Sequence, residues 1–181
     1  KNKVLITGIT GMVGSHLADY LLDNTAMEVH GMCRWRSPQE NIEHLIPYVN
    51  QRERVFFHYG DLCDYVSIQS VIKKVQPNYV FHLAAQSYPQ TSFTSPINTY
   101  DTNINGTQNL LEALRSFSNI DPWIHVCSSS EIFGRVSSDK LPIDEECSFH
   151  PASPYAISKV GTDLIARFHA EAYKQKILTT R

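Results

Sequence analysis

Tyr155 and Lys159 stand four residues apart in Tyr155-Ala156-Ile157-Ser158-Lys159, which puts a phenol and an ammonium one turn apart on one helix face. A nearby ammonium, more so with a bound nicotinamide, lowers a phenol's pKa toward neutrality and makes it a usable acid/base. Upstream, an apolar run ends in Cys127-Ser128-Ser129-Ser130-Glu131, three hydroxyls and a carboxylate expected to face the same crevice. A serine hydroxyl there can orient a reacting oxygen while Tyr155 relays its proton and Lys159 holds a ribose. The chemistry implied is nicotinamide redox chemistry at an alcohol or ketone carbon.

The dinucleotide that such chemistry needs has its own signature near the start. Thr7-Gly8-Ile9-Thr10-Gly11-Met12-Val13-Gly14 follows the apolar run Val4-Leu5-Ile6 and leads into an amphipathic stretch. Strand, glycine turn and helix in that order let the backbone approach a pyrophosphate held at the helix N-terminus. Gly8, Thr10, Gly11, Met12, Val13 and Gly14 are therefore the first cofactor-binding candidates. At the end of the second strand, where NAD-binding folds place a carboxylate on the ribose, this chain has Cys33-Arg34-Trp35-Arg36-Ser37. Guanidinium forks match a 2′-phosphate, so NADP is favoured over NAD, with Arg34 the leading contact. Asp61 in Gly60-Asp61-Leu62 can accept from an adenine amino group, and Leu62 lies beside it. Leu83, Ala84, Ala85 and Ser87 follow the fourth strand, where small residues let backbone lie beside the nicotinamide ribose. All of these fall at C-terminal strand ends, where open α/β sheets bind ligands.

The elements that must position these groups alternate. Strands are expected over residues 4–7, 28–33, 55–59, 79–83, 123–128 and 177–180. Helices are expected over 13–22, 65–75, 103–117 and 154–173, with a shorter one around 38–49. Asp64 is read as the N-cap ahead of Tyr65. This alternation predicts an α/β Rossmann fold, a doubly wound parallel sheet with helices on both faces. With 181 residues and no linker or repeat, residues 1–181 form a single NAD(P)-binding domain. Phe56, Phe57 and Tyr59 read as strand core.

Composition narrows the classes. Hydrophobic residues make up 42% and charged residues 19%, with a net charge of −2, which gives no electrostatic reason to expect nucleic acid or an anionic membrane. Cys33, Cys63, Cys127 and Cys147 are widely spaced, so free and mostly buried thiols are expected. His16, His30, His44, His58, His82, His125, His150 and His169 show no ligand spacing, and no metal is expected. No apolar run approaches a membrane span, which makes the cytoplasm the default location. The chain starts one residue before its first strand and stops on what reads as a strand beginning. A further segment beyond Arg181 is thus expected, with the isolated chain inactive.

Taken together, the chain resembles the extended short-chain dehydrogenases/reductases, and within them the GDP-mannose 4,6-dehydratases of the NAD-dependent epimerase/dehydratase group. The likeness runs through Thr7-Gly8-Ile9-Thr10-Gly11, Val29-His30-Gly31 with Arg34, Ile42-Glu43-His44-Leu45 and Tyr59-Gly60-Asp61-Leu62. It continues through Ala85-Gln86-Ser87, Ser92-Phe93 with Ser95-Pro96, Ser128 to Glu131, and Pro151 to Lys159. The resemblance implies that Ser129 takes the place of a catalytic threonine and Glu131 that of a general base. Tyr155 and Lys159 keep their usual roles, and Ser87, Ser129 and Glu131 contact substrate. It implies hydride loss from C4 of GDP-mannose, loss of water across C5–C6 with Glu131 as base, and hydride return to C6. A nucleotide-sugar 4-reductase or 4-epimerase is the alternative on the same scaffold. Also implied are a smaller substrate domain absent from this chain and a homodimer or homotetramer joined through helices 103–117 and 154–173. Four positions depart from the pattern: Ser129 for threonine, Asn103 for aspartate, and the loop residues Asn98 and Tyr100.

Overall fold

In a computed structural model that describes residues 1–51 and 53–181, six strands form one parallel sheet. They are β1 (Lys3–Thr7), β2 (Glu28–Cys33), β3 (Val55–Tyr59), β4 (Tyr79–His82), β5 (Trp123–Cys127) and β6 (Lys176–Thr180). Their order is β3-β2-β1-β4-β5-β6. The direction of winding reverses between β1 and β4, which opens a crevice above their C-terminal ends.

Side-chain alternation along the strands builds a core on each face. On β1, Leu5 enters a cluster with Ile68, Ile72, Leu110 and Leu111 from the helices of one face. Val4 and Ile6 enter the opposite cluster with Ala18, Leu21, Ile42 and Leu45. A central strand buried on both sides must be apolar throughout, which is why Val4-Leu5-Ile6 carries no polar residue.

The helices are α1 (Met12–Asn24), α2 (Ile46–Asn50), α3 (Tyr65–Val75), α4 (Pro89–Thr94), α5 (Pro96–Tyr100), α6 (Gly106–Arg115) and α7 (Pro154–Tyr173). Asp64 caps α3 as expected, its carboxylate accepting from the backbone N–H of Val66 at 3.1 Å and of Ser67 at 3.4 Å. The stretch read as one short helix around 38–49 is a 3-10 turn, Glu40–Leu45, followed by α2. Two helices were not foreseen. Pro89 and Pro96 look like breakers in sequence but begin α4 and α5, where a missing N–H costs nothing. The helix expected from 103 starts as a π-helical turn, Asp101–Asn105, before α6.

Cysteine burial also departs from expectation. All four thiols are free, but Cys33 alone is buried; Cys63 is exposed and Cys127 and Cys147 are half-buried. Tyr59 is not core either: it is 54% exposed at the sheet edge and meets the exposed Trp35 ring edge-to-face at 5.0 Å.

Candidate active site

The glycine turn owes its shape to two close approaches. Gly8 has φ +76°, and a Cβ there would lie 2.8 Å from the backbone of Ala84. A Cβ on Gly14 would lie 2.4 Å from the carbonyl oxygen of Gly8. Neither site admits a side chain, so the ends of β1 and β4 and the start of α1 close on one another. Gly11 then precedes α1, whose first-turn N–H groups have no side-chain cap and no acidic neighbour. That leaves them available to an anion.

Above this turn is a cleft of about 280 Å³. Gly8, Thr10 and Gly11 line one side; Leu83, Ala84, Ala85 and Ser87 line the other; Arg34, Asp61 and Leu62 line its outer end. The lining is backbone and small side chains between a lone guanidinium and a carboxylate, as a dinucleotide requires. Asp61 has one carboxylate oxygen engaged by the N–H of Cys63 at 2.9 Å, which fixes its aim. Arg34 makes no ion pair among the described residues.

Three of the glycine-turn candidates do not line the cleft. Met12 and Val13 are 69% and 57% exposed on the first turn of α1, and Gly14 is buried as a packing glycine. Arg36 also lies off the cleft, whereas Ser37, Cys63 and Thr102 line it without having been singled out. Their signal was only proximity to a strand end or to the π turn.

The acid/base group assembles beside the cleft on β5 and α7, and none of its four residues lines the cleft itself. Ser153 caps α7 by accepting from the N–H of Ala156 at 3.0 Å, and Pro154 starts the helix, so Tyr155 and Lys159 enter on its buried face. Tyr155 is 8% exposed and Lys159 5% exposed. The Lys159 ammonium donates to the carbonyl oxygen of Cys127 at 2.9 Å. Its nitrogen lies 6.0 Å from the centre of the Tyr155 ring.

The electrostatics differ from the sequence expectation. Burial pushes the Tyr155 phenol up from its ordinary value, and Cys127 and Glu131 add to the rise; the Ser129 hydroxyl opposes it. Burial likewise pushes Lys159 down. Tyr155 is therefore a protonated phenol in the cofactor-free chain. Lys159 donates to the Cys127 carbonyl rather than to the phenol, so burial is the dominant effect on Tyr155.

The serine run also sorts itself. Ser128 is buried, with its hydroxyl toward the carbonyl of Lys159 at 3.4 Å, and does not reach the crevice. Ser129 starts the 3-10 turn Ser130–Phe133 and accepts from the N–H of Glu131 at 3.2 Å while facing Tyr155. Glu131 is exposed, with its charge felt at the phenol. Ser129, Glu131, Tyr155 and Lys159 thus converge, and the buried Ser128 and the exposed Ser130 drop out. Among the described residues no cluster of His, Cys, Asp or Glu could hold a metal ion, and no helix is long and apolar enough to cross a membrane.

This arrangement was compared with known proteins. A family model described as GDP-mannose 4,6 dehydratase matches residues 5–181. The chain belongs to that family. A GDP-mannose 4,6-dehydratase of Vibrio cholerae is 38% identical over 177 residues, covering 96% of this chain and 47% of the relative. The chain thus spans about half the length of the curated relatives it matches. Among solved structures, DesIV of Streptomyces venezuelae, a dTDP-glucose 4,6-dehydratase with NAD bound, superposes with a TM-score of 0.84 at 30% identity, covering 99% of this chain and 55% of that one. RMD of Pseudomonas aeruginosa, solved with NADPH, gives 0.79 at 28%, covering 100% and 53%. The GDP-mannose 4,6-dehydratase family membership and the Rossmann architecture agree with the sequence reading.

Proposed function

We propose that the protein containing this chain is a nucleotide-sugar 4,6-dehydratase, converting GDP-mannose to GDP-4-keto-6-deoxymannose, and that residues 1–181 are its NAD(P)-binding domain. The observation that carries the reading is the nearness of the Glu131 carboxylate to Tyr155, close enough for its charge to act on the phenol. A reductase or epimerase working at C4 has no use for a carboxylate base beside the phenol; a dehydratase needs one to take the proton at C5.

The cleft fits a dinucleotide, since side chains are sterically barred at Gly8 and Gly14 and the N-terminus of α1 is open. Gly8, Thr10 and Gly11 would hold the pyrophosphate, Asp61 and Leu62 the adenine, and Leu83, Ala84, Ala85 and Ser87 the nicotinamide ribose. Arg34 would take a 2′-phosphate, which supports NADP with NAD as the second choice. NADP held there would supply a hydride acceptor at C4 and a hydride donor at C6, with no net change in its oxidation state.

The chain's own residues handle the protons. Ser129 holds the C4 oxygen while Tyr155 removes its proton. The resulting ketone acidifies the C5 hydrogen, and Glu131 removes that proton and gives it to the C6 hydroxyl, which departs as water. Once hydride reaches C6, the proton Tyr155 took from the C4 hydroxyl is available to C5, and the product is complete. Lys159 steadies the ribose and, through its bond to the Cys127 carbonyl, the end of β5. The test is to incubate the full-length protein with GDP-mannose and no added cofactor. A 4-keto-6-deoxy product supports the reading; turnover that consumes stoichiometric NADPH makes it a reductase.

A second copy of the chain is the expected partner. Ile157, Leu164 and Phe168 are 46%, 51% and 54% exposed along one stripe of α7, beside Ile97 of α5 at 68%. The outer face of α6 is polar, so a homodimer or homotetramer would pair chiefly through α7 and α5.

A further inference from the structure

A line of buried hydrogen bonds runs from the glycine turn to the acid/base helix, and its donors can be assigned. The N–H groups of Leu83 and Ala84 both donate to the Thr7 hydroxyl oxygen, at 3.2 and 3.1 Å. With its lone pairs filled, Thr7 must give its own proton to Nδ1 of His82, 2.9 Å away on the neighbouring strand. His82 is then neutral with its proton on Nε2, which donates to the Thr107 hydroxyl at 2.9 Å. Thr107 passes its proton to the carbonyl oxygen of Asn103 at 2.7 Å. The Thr162 hydroxyl of α7 also lies 2.9 Å from that carbonyl, its single proton shared between it and the Ser158 carbonyl at 3.1 Å. The Asn103 carbonyl is open to both hydroxyls because Asn103 lies in the π-helical turn, which loosens the regular helical ladder.

The Asn103 side chain completes the connection. Its oxygen accepts from the N–H of Gln86 at 2.8 Å, and its nitrogen donates to the carbonyl of Gln86 at 3.0 Å. The same nitrogen donates to the Ser158 hydroxyl at 2.9 Å, and Ser158 in turn donates to the carbonyl of Tyr155 at 2.6 Å. Gln86 lines the cofactor cleft, and Tyr155 is the acid/base. Asn103 is 2% exposed and Ser158 is fully buried, so water does not replace these bonds.

We propose that Asn103 and Ser158 are positioning residues that set Tyr155 against the cofactor cleft, with His82 fixed as its Nε2–H tautomer to anchor Asn103. The assay rests on the dehydratase reading; the hydrogen-bond geometry does not. The Asn103 carboxamide meets both requirements, accepting from Gln86 while donating to Gln86 and Ser158. An aspartate there would set a carboxylate against the Gln86 carbonyl and could hold Ser158 only by drawing its hydroxyl proton away from the Tyr155 carbonyl.

The test is a double-mutant cycle in the full-length protein, with kcat for GDP-mannose, KM and the NADP dissociation constant measured for Asn103→Ala, Ser158→Ala and both together. Each single change is expected to lower kcat about fivefold to tenfold, the worth of one buried neutral hydrogen bond. NADP affinity should move less than kcat, and the double variant should be no slower than the worse single one. Ser158→Ala favours the helix, so it tests the idea even if Asn103→Ala folds poorly. His82→Gln, which keeps a donor toward Thr107, should retain more kcat than His82→Phe. Wild-type kcat in Ser158→Ala, or strictly multiplicative losses in the double variant, overturns the proposal. An inactive wild-type protein would instead count against the dehydratase reading.

Discussion

Lys159 donates to the carbonyl oxygen of Cys127 across 2.9 Å and not to Tyr155, the phenol one turn before it. The ammonium is thus tied to the end of β5, and the phenol is left to the effects of its burial, which raise its pKa. A protonated phenol is the stable form until bound cofactor brings positive charge near it.

Titrated by near-ultraviolet absorbance, Tyr155 of the cofactor-free protein should ionise above the ordinary tyrosine value, and the step should move down on adding NADP. Tyr155→Phe should remove that step and slow turnover by about a hundredfold to ten-thousandfold while NADP still binds. A phenol titrating below 10 without cofactor would contradict the burial argument.

Glu131→Gln keeps the shape and hydrogen bonding of an exposed side chain and deletes only its basicity. Water loss should stop, cofactor affinity should stay within about twofold, and solvent deuterium should no longer enter C5. Continued exchange at C5 in this variant would assign the base elsewhere.

Arg34 lines the cleft and is the proposed contact for a 2′-phosphate. A charge-assisted bond to phosphate is worth about 1.5–3 kcal/mol, so Arg34→Ala should weaken NADP roughly tenfold to a hundredfold and NAD far less. An unchanged ratio of the two dissociation constants would move the 2′-phosphate contact away from this residue.

Gly8→Ala should both strain and block. A residue with φ +76° costs an L side chain roughly 1–2 kcal/mol, and its Cβ would press on Ala84. Reduced thermal stability with lost dinucleotide binding is expected, read by calorimetry and a binding titration. Full binding by this variant would show that β1 and β4 can separate.

Three buried histidines make the fold acid-sensitive. Burial pushes His30 and His58 down to about 4 and His82 to about 3. The first two share one hydrogen bond of 3.0 Å, so protonating the ring that accepts it removes the accepting lone pair, and protonating both sets two charges side by side. Because folded values lie below the unfolded 6.5, stability is level above that pH and falls as pH drops from 6.5 toward 4 and 3. Each histidine adds a slope of about 1.4 kcal/mol per pH unit in that window. Denaturant midpoints measured against pH should show this fall, and His58→Asn should flatten it. A flat profile down to pH 4 would mean that folding leaves the affinity of these rings for protons unchanged.

The sequence by itself determined the parallel α/β alternation, the glycine turn and the Tyr155–Lys159 pair. Each depends on periodicity or on spacings of a few residues, which local backbone geometry enforces. It also marked Arg34, Asp61 and the β4 loop, because strand C-termini are legible from where apolar runs stop. The tertiary structure alone decided which hydroxyl of the serine run faces Tyr155, since strand alternation turns Ser128 inward and leaves Ser129 in the crevice. It also decided where Lys159 puts its proton, and that Pro89 and Pro96 begin helices rather than end them. The bonds Thr7–His82 and Asn103–Ser158 join residues 75 and 55 positions apart. No local pattern records such a pairing; only burial, which removes water as an alternative partner, forces these polar groups to find each other.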